Sequence, residues 1–297
     1  MASVSTQRRR AALGAGLIPG SERAFWYFLR VSGVLLVLLA GGHLFITHYL
    51  NVPSQTTFEF VANRWSNPLW ITFDILLLFA ALWHGLIGLR LATTDLVKNK
   101  GVRQVLYGII YAVGIAFSVL GLVNIFSFDI DAARDNTGPL SGAMWFGDLI
   151  AYSLFTFAAA IYIAVIVGAI WVIRSLRNGV VPIYNGDVGQ YAWILHRATG
   201  IGVTFFLLIH IIDIMLISWG RDIYDHTVSF YANPFIIPME IMLVGAVIYH
   251  TLNGLRVIAI NFSSQGPVRE KTAFWWVLAA TVILTIPSGI VILMHEL

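Results

Sequence analysis

"WILHRATGIGVTFFLLIH" occupies residues 193–210. It is apolar enough to enter a bilayer, yet it carries His196 and Arg197 at one end and His210 at the other. The same pattern stands earlier in the chain. Trp26, Arg30, Ser32, Gly33 and His43 recur as Trp193, Arg197, Thr199, Gly200 and His210 at a constant offset of 167. A second block repeats at an offset of 166: Asn67-Pro68, Asp74, His84 and Gly88-Leu89-Arg90 recur as Asn233-Pro234, Glu240, His250 and Gly254-Leu255-Arg256. Matched polar residues at fixed spacing in apolar segments indicate an internal duplication.

The composition sets the solvent. Hydrophobic residues make up 58% of the 297 and charged residues 11%, against about 25% charged in an ordinary soluble domain. The mean hydropathy is +0.81. Seven stretches are long enough to cross a hydrocarbon core as helices: about 25–50, 68–94, 104–127, 146–174, 191–219, 234–260 and 273–294. The expected fold is an all-α, polytopic transmembrane bundle of two parallel three-helix repeats joined by one extra helix. Residues 1–24 form an N-terminal segment, 25–130 the first repeat, 131–180 an outer loop and the linking fourth span, and 181–297 the second repeat. A three-helix unit ends on the side opposite its start, so the fourth span must return the chain before the second unit begins.

Basic residues orient the bundle. With the N-terminus inside, fifteen of the eighteen Lys and Arg residues lie on the inner side; Arg64, Arg134 and Arg221 lie outside. The expected protein is therefore an integral inner (cytoplasmic) membrane protein with its N-terminus cytoplasmic and its C-terminus outside. The net charge of +3 does not indicate a nucleic-acid partner, because the basic residues sort by membrane side. The first apolar stretch is too long and too far inside the chain for a cleavable signal peptide. The outer loops "SFDIDAARDNTGPLSGAMW" and "SWGRDIYDHTVSFYANP" read as a surface linker and an interfacial segment.

No cysteine is present. That excludes disulfides, thiolate-bound clusters and a covalently attached c-type haem within this chain. Metal chemistry must then use His, Asp, Glu or Met. A lone intramembrane histidine is usually a satisfied hydrogen-bonding residue, but here there are four, paired by repeat, and buried polar side chains in lipid are costly. At about 1.5 Å per residue, His43 and His210 lie about 20 Å above the inner-edge arginines, and His84 and His250 about 9 Å above them. Two facing imidazoles at one depth suit bis-histidine ligation of haem b. Two layers, His43 with His210 and His84 with His250, imply two haems. Gly41, Gly42, Gly85, Gly88 and Gly254 leave room for a flat macrocycle. Zinc is disfavoured, since each layer lacks the ligands for a closed site. Arg30, Arg197 and His196 at the inner edge suit propionates or a quinone carbonyl, whereas Arg90 and Arg256 suit interfacial snorkelling in part.

W-I-L-H-R-A-T-G at 193–200 with H-T-L-N-G-L-R at 250–256 resembles the C-type membrane anchor of succinate dehydrogenase and fumarate reductase. H-G-L-I-G-L-R-L-A-T-T-D at 84–95 resembles the D-type anchor. The chain looks like both anchors fused, D-like half first. The resemblance implies a cytochrome b that passes electrons to quinone and holds a flavoprotein and an iron–sulfur subunit on the cytoplasmic face. It implies haem ligation by His84 and His250, with His43 and His210 as the extra pair of dihaem members, which more often use menaquinone. The cofactor-binding set is then Arg30, Ser32, Trp193, His196, Arg197, Thr199, Asp95, Arg90 and Arg256, with Trp193 standing where the C-type anchor usually has Ser. Asp74, Glu240 and Asp213 are candidates to exchange protons with quinone near the outer layer. Nothing in the sequence offers a flavin or dicarboxylate site, so the chain alone is not expected to oxidise succinate. Membrane lipid is the surrounding partner, and a higher oligomer stays open. The alternatives are a fumarate reductase anchor, a cytochrome of another respiratory dehydrogenase, or a transporter with a proton pathway through buried His and acidic residues.

Overall fold

The computed structural model describes residues 20–51, 53–177, 188–262 and 269–296. Most of the N-terminal segment, including Arg8, Arg9 and Arg10, lies outside the described residues. The elements in chain order are α1 (Gly20–His48), α2 (Phe58–Trp65), α3 (Pro68–Leu96), α4 (Lys100–Phe126), α5 (Ile130–Arg134), α6 (Met144–Arg177), α7 (Val188–Met215), α8 (Arg221–Ser229), α9 (Ile237–Phe262) and α10 (Glu270–Glu296). Seven of them are long and apolar enough to cross a membrane: α1, α3, α4, α6, α7, α9 and α10. The fold is an all-α polytopic bundle, and the protein is an integral membrane protein.

Local signals start the helices. Asn67 caps α3, accepting the Leu69 N–H at 2.9 Å, with Pro68 in the first turn where a missing N–H costs nothing. In the second repeat Asn233 accepts the Phe235 N–H at the same distance, just before α9. Large apolar side chains such as Leu38, Val105 and Trp276 face outward, as hydrocarbon requires. Inside the bundle, small residues let backbones approach. A Cβ added at Gly85 would lie 2.8 Å from Thr204 Oγ1, which makes Gly85 a contact point between α3 and α7.

The two halves pack in corresponding ways. α3 packs on α1 and α4, and α9 packs on α7 and α10. Across the halves, α3 meets α7 and α9 meets α1. These two contacts are equivalent once each helix is replaced by its repeat partner. α6 packs against α7, α8 and α9.

Two of the loops between spans are more structured than expected. The segment expected to be a surface linker contains α5, and the segment expected at the interface contains α8. Together with α2 they form a cap. Its core holds Phe58, Ile217 and Tyr224, all fully buried, with Trp65, Ala133 and Ile223. Polar contacts close it. Arg134 binds Glu59 through two hydrogen bonds of 3.0 Å, Arg221 pairs with the same carboxylate, and Asp225 accepts the Phe58 N–H at 2.6 Å. Gly220 has φ 130°, a left-handed conformation that a Cβ would strain, and lies against Asn136. The physical reason for the difference is aromatic burial: these loops carry apolar side chains that find each other only in three dimensions.

The hydrogen bond from Arg134 and the charges of Arg134 and Arg221 hold the Glu59 carboxyl below the usual carboxylate range, against a smaller opposing effect of burial. A depressed folded-state pKa stabilises above the unfolded value and is lost as the pH falls through the folded one. The protection factors of the α2 and α5 amides should therefore be highest near neutrality and fall below about pH 4, although intrinsic exchange itself slows on acidification. Glu59→Gln should show lower protection already at neutral pH; equal protection in the two proteins would remove the clamp.

Candidate functional site

A cavity of about 840 Å³ runs through the bundle. All four paired histidines line it. The His43 and His210 rings face each other with centroids 6.0 Å apart and planes at 68°. Those of His84 and His250 are 6.3 Å apart at 87°. Each pair takes one ring from each repeat. Two imidazole nitrogens each about 2.0 Å from a single metal, with half a ring added on either side, put the centroids about 6 Å apart. Among the described residues no group of three or more His, Cys, Asp or Glu side chains converges as a metal site. Each layer offers one imidazole from each repeat, a donor set that would suit a metal carrying its other ligands with it, as haem does.

The inner pair is held by its neighbours. Ser32 Oγ lies 2.8 Å from His84 Nδ1. In the other repeat His250 Nδ1 lies 3.1 Å from the His196 carbonyl and 3.4 Å from Thr199 Oγ1. The His196 ring stacks on His250 with centroids 4.0 Å apart and planes at 7°. Gly33 and Gly200 back the two rings: a Cβ at Gly33 would lie 3.4 Å from His84 Cε1, and at Gly200 2.7 Å from His250 Cε1. In the outer pair, Nδ1 of His43 and of His210 is buried without a hydrogen-bond partner among the described residues.

The glycines expected to make room divide. Gly88 lines the cavity, and a Cβ there would meet nothing within 4 Å. Gly254 lies beside His196. Gly85 lines the cavity as well as forming the α3–α7 contact, whereas Gly41 and Gly42 are not among the residues that line it. Gly33 and Gly200 were visible in the repeat motif, but only the folded chain shows that they seat imidazoles.

At the inner end, Arg30 and Arg197 line the cavity. Each guanidinium lies over the tryptophan four residues before it, at 3.4 Å for Trp26 and 4.3 Å for Trp193. Trp193, in place of a smaller residue, thus carries an arginine, as Trp26 does in the first half. Arg197 pairs with Asp95 across the halves. Arg30 makes no ion pair among the described residues, and its Nε is buried without a hydrogen bond. Arg256 is buried, reaching Asn253 at 3.3 Å and the Glu270 carbonyl and carboxylate at 3.1 and 3.3 Å. Arg90 is set apart from the cavity. Glu22 binds it at 2.6 Å, and Phe25 and Tyr107 flank it. Arg90 and Arg256 each pair with a half-exposed carboxylate, Glu22 and Glu270. Ser32, Thr199 and Asp95 sit one contact behind the cavity wall.

At the outer end, Asp74, Asp213 and Glu240 all line the cavity. Asp74 accepts from Arg64 at 3.1 Å and from the Trp65 indole at 3.0 Å, tying the cap to α3. Glu240 lies 3.4 Å from His48 Nε2. Asp213, 1% exposed, accepts from the Tyr231 hydroxyl at 2.9 Å. Burial, with the Asp213 carboxyl beside it, pushes the Tyr231 phenol well above its usual range, so it remains a donor. Tyr231→Phe should leave Asp213 buried without its donor, costing about 1–3 kcal/mol, read as a lower thermal midpoint in detergent. Arg64, Tyr231 and His48 were not singled out as site residues in the sequence: Tyr231 and His48 find their partners at a distance in the chain, and Arg64 itself lies outside the repeated blocks.

Residues 6–123 and 174–286 each match the model of the succinate dehydrogenase/fumarate reductase transmembrane subunit family. The chain is similar to the succinate dehydrogenase 2 membrane subunit SdhC of Mycobacterium tuberculosis, with 35% identity over 113 residues, 38% of this chain and 83% of that protein. It is also similar to succinate dehydrogenase hydrophobic membrane anchor subunits of Halobacterium salinarum, 26% identical over 34% of this chain and 78% of that protein, and of Thermoplasma acidophilum, 27% over 32% and 72%. With the same family model matched in both halves, the chain belongs to the succinate dehydrogenase/fumarate reductase transmembrane subunit family.

Proposed function

We propose that the chain is the haem b membrane anchor of a succinate:quinone oxidoreductase, with both anchor halves on one polypeptide. The observation that carries this is the cross-repeat pairing of histidines, at 6.0 and 6.3 Å, inside one cavity. His84 with His250 and His43 with His210 would hold one haem each. When bound, haem b supplies reversible one-electron chemistry. Arg30 and Arg197 offer guanidiniums to propionates or to a quinone carbonyl at the inner end. Trp193, His196, Arg197 and Asp95 border the quinone headgroup there. Asp74, Asp213 and Glu240 exchange protons at the outer end. The quinone is menaquinone, on the strength of the second histidine pair. A flavoprotein and an iron–sulfur subunit dock on the basic, cytoplasmic face and supply the electrons, and the N-terminus lies on that side. Quinol oxidation coupled to fumarate reduction would use the same residues in reverse. The four helices that carry the histidines run unbroken, so the broken helices on which a transporter reading would rest are missing from them.

The test is the haem-to-protein ratio of the purified chain by pyridine haemochrome, with a reduced-minus-oxidised spectrum. The expected result is b-type haem at two per chain, reducible by succinate when the soluble subunits are bound. Purified protein without haem would sink the proposal.

A further inference from the structure

The hydroxyl of Ser32 has one proton, and the structure shows where it goes. Ser32 Oγ lies 2.6 Å from the Phe28 carbonyl, which can only accept. With that proton committed, the same oxygen can only accept from His84 Nδ1, 2.8 Å away. His84 therefore carries its proton on Nδ1 and its lone pair on Nε2. His250 reaches the same state by another route: its Nδ1 faces the His196 carbonyl at 3.1 Å, again an acceptor only. Thr199 Oγ1 is the repeat counterpart of Ser32. It points its proton at the Leu195 carbonyl, 2.8 Å away, and stands 3.4 Å from His250 Nδ1. The outer histidines have no such device, since neither Nδ1 has a partner among the described residues.

We infer that Ser32 is a positioning residue that fixes the His84 tautomer, so that the inner histidine pair presents two ready lone pairs before any metal arrives. The role of that lone pair rests on the haem reading above; the tautomer itself does not. Donation from Nδ1–H to an acceptor orients the ring and raises the basicity of the other nitrogen. Loss of such a partner typically costs about 10–100-fold in metal affinity. Thr199 is expected to matter less, because the His196 backbone carbonyl holds His250 without it.

The experiment compares the wild-type chain with Ser32→Ala, Ser32→Thr and Thr199→Val. Haem transfer to excess apomyoglobin and potentiometric titration of the bound haems are followed in each. In Ser32→Ala the inner haem should leave about 10–100-fold more readily and its midpoint potential should move positive, while the outer haem is unchanged. Ser32→Thr should restore both. An unchanged inner haem in Ser32→Ala overturns the inference. So does equal loss of both haems, which would mean that Ser32 serves the fold. A second measurement does not depend on haem: ¹⁵N histidine shifts of the haem-free chain should show His84 protonated on Nδ1, with the tautomers mixed in Ser32→Ala. A wild-type His84 protonated on Nε2 refutes the inference even if haem binds. A chain that binds no haem but shows the Nδ1 tautomer refutes the cofactor instead.

Discussion

With two haems held as proposed, replacing His84 or His250 with Ala should each remove the same one, the inner, and leave the outer spectrally intact. His43→Ala and His210→Ala should each remove the other. Haem content should fall by about half in all four proteins, because a single histidine would not hold the proposed group as the pair would. The equivalence within a pair is the demanding part. His84 and His250 lie in different repeats, yet their rings are 6.3 Å apart. The check is haem per protein together with the low-temperature spectrum of each variant. If His84→Ala and His210→Ala deplete the same spectral component, the layers are wrongly paired.

Gly200→Ala should depress binding at the inner site without touching a ligand. The added methyl would sit 2.7 Å from His250 Cε1 and 3.2 Å from its Nδ1, so the ring must move. Overpacking of this kind costs about 1–3 kcal/mol, or about fivefold to 140-fold in binding at 1.4 kcal/mol per decade. The repeat provides the control. At Gly33 the same methyl would stand 3.4 Å from His84 Cε1, and a small movement of the ring accommodates it, so Gly33→Ala should bind haem within about threefold of wild type. Equal losses in the two variants would mean that the close contact at Gly200 does not govern the site.

The spans and the duplication were legible because lipid makes every intramembrane polar residue conspicuous. Trp26, Arg30, His43 and their counterparts stand out against apolar neighbours, and a fixed offset is easily seen. Arg197 could be nominated from its motif, but its pairing with Asp95 joins two helices of different repeats and leaves no local pattern. The outer cap was harder still. α2 has eight residues, too few for a periodic signal, and Glu59 finds Arg134 and Arg221 at separations of 75 and 162 positions. Arg90 and Arg256 look equivalent in sequence, yet one is neutralised by Glu22 in α1 and the other by Glu270 in α10. Duplicated residues need not keep duplicated partners once each half has its own surroundings.

The drawing of each histidine pair from both repeats also sets a timetable for biogenesis. The first three spans leave the ribosome with His43 and His84 and no ring to face either. His43 gains its counterpart only when α7 has been made, and His84 only when translation has passed His250 in α9. The outer pair is complete before the inner one, and a product truncated within α6 contains neither. A single polypeptide also delivers both halves in equal number, so insertion needs no encounter between separately synthesised partners.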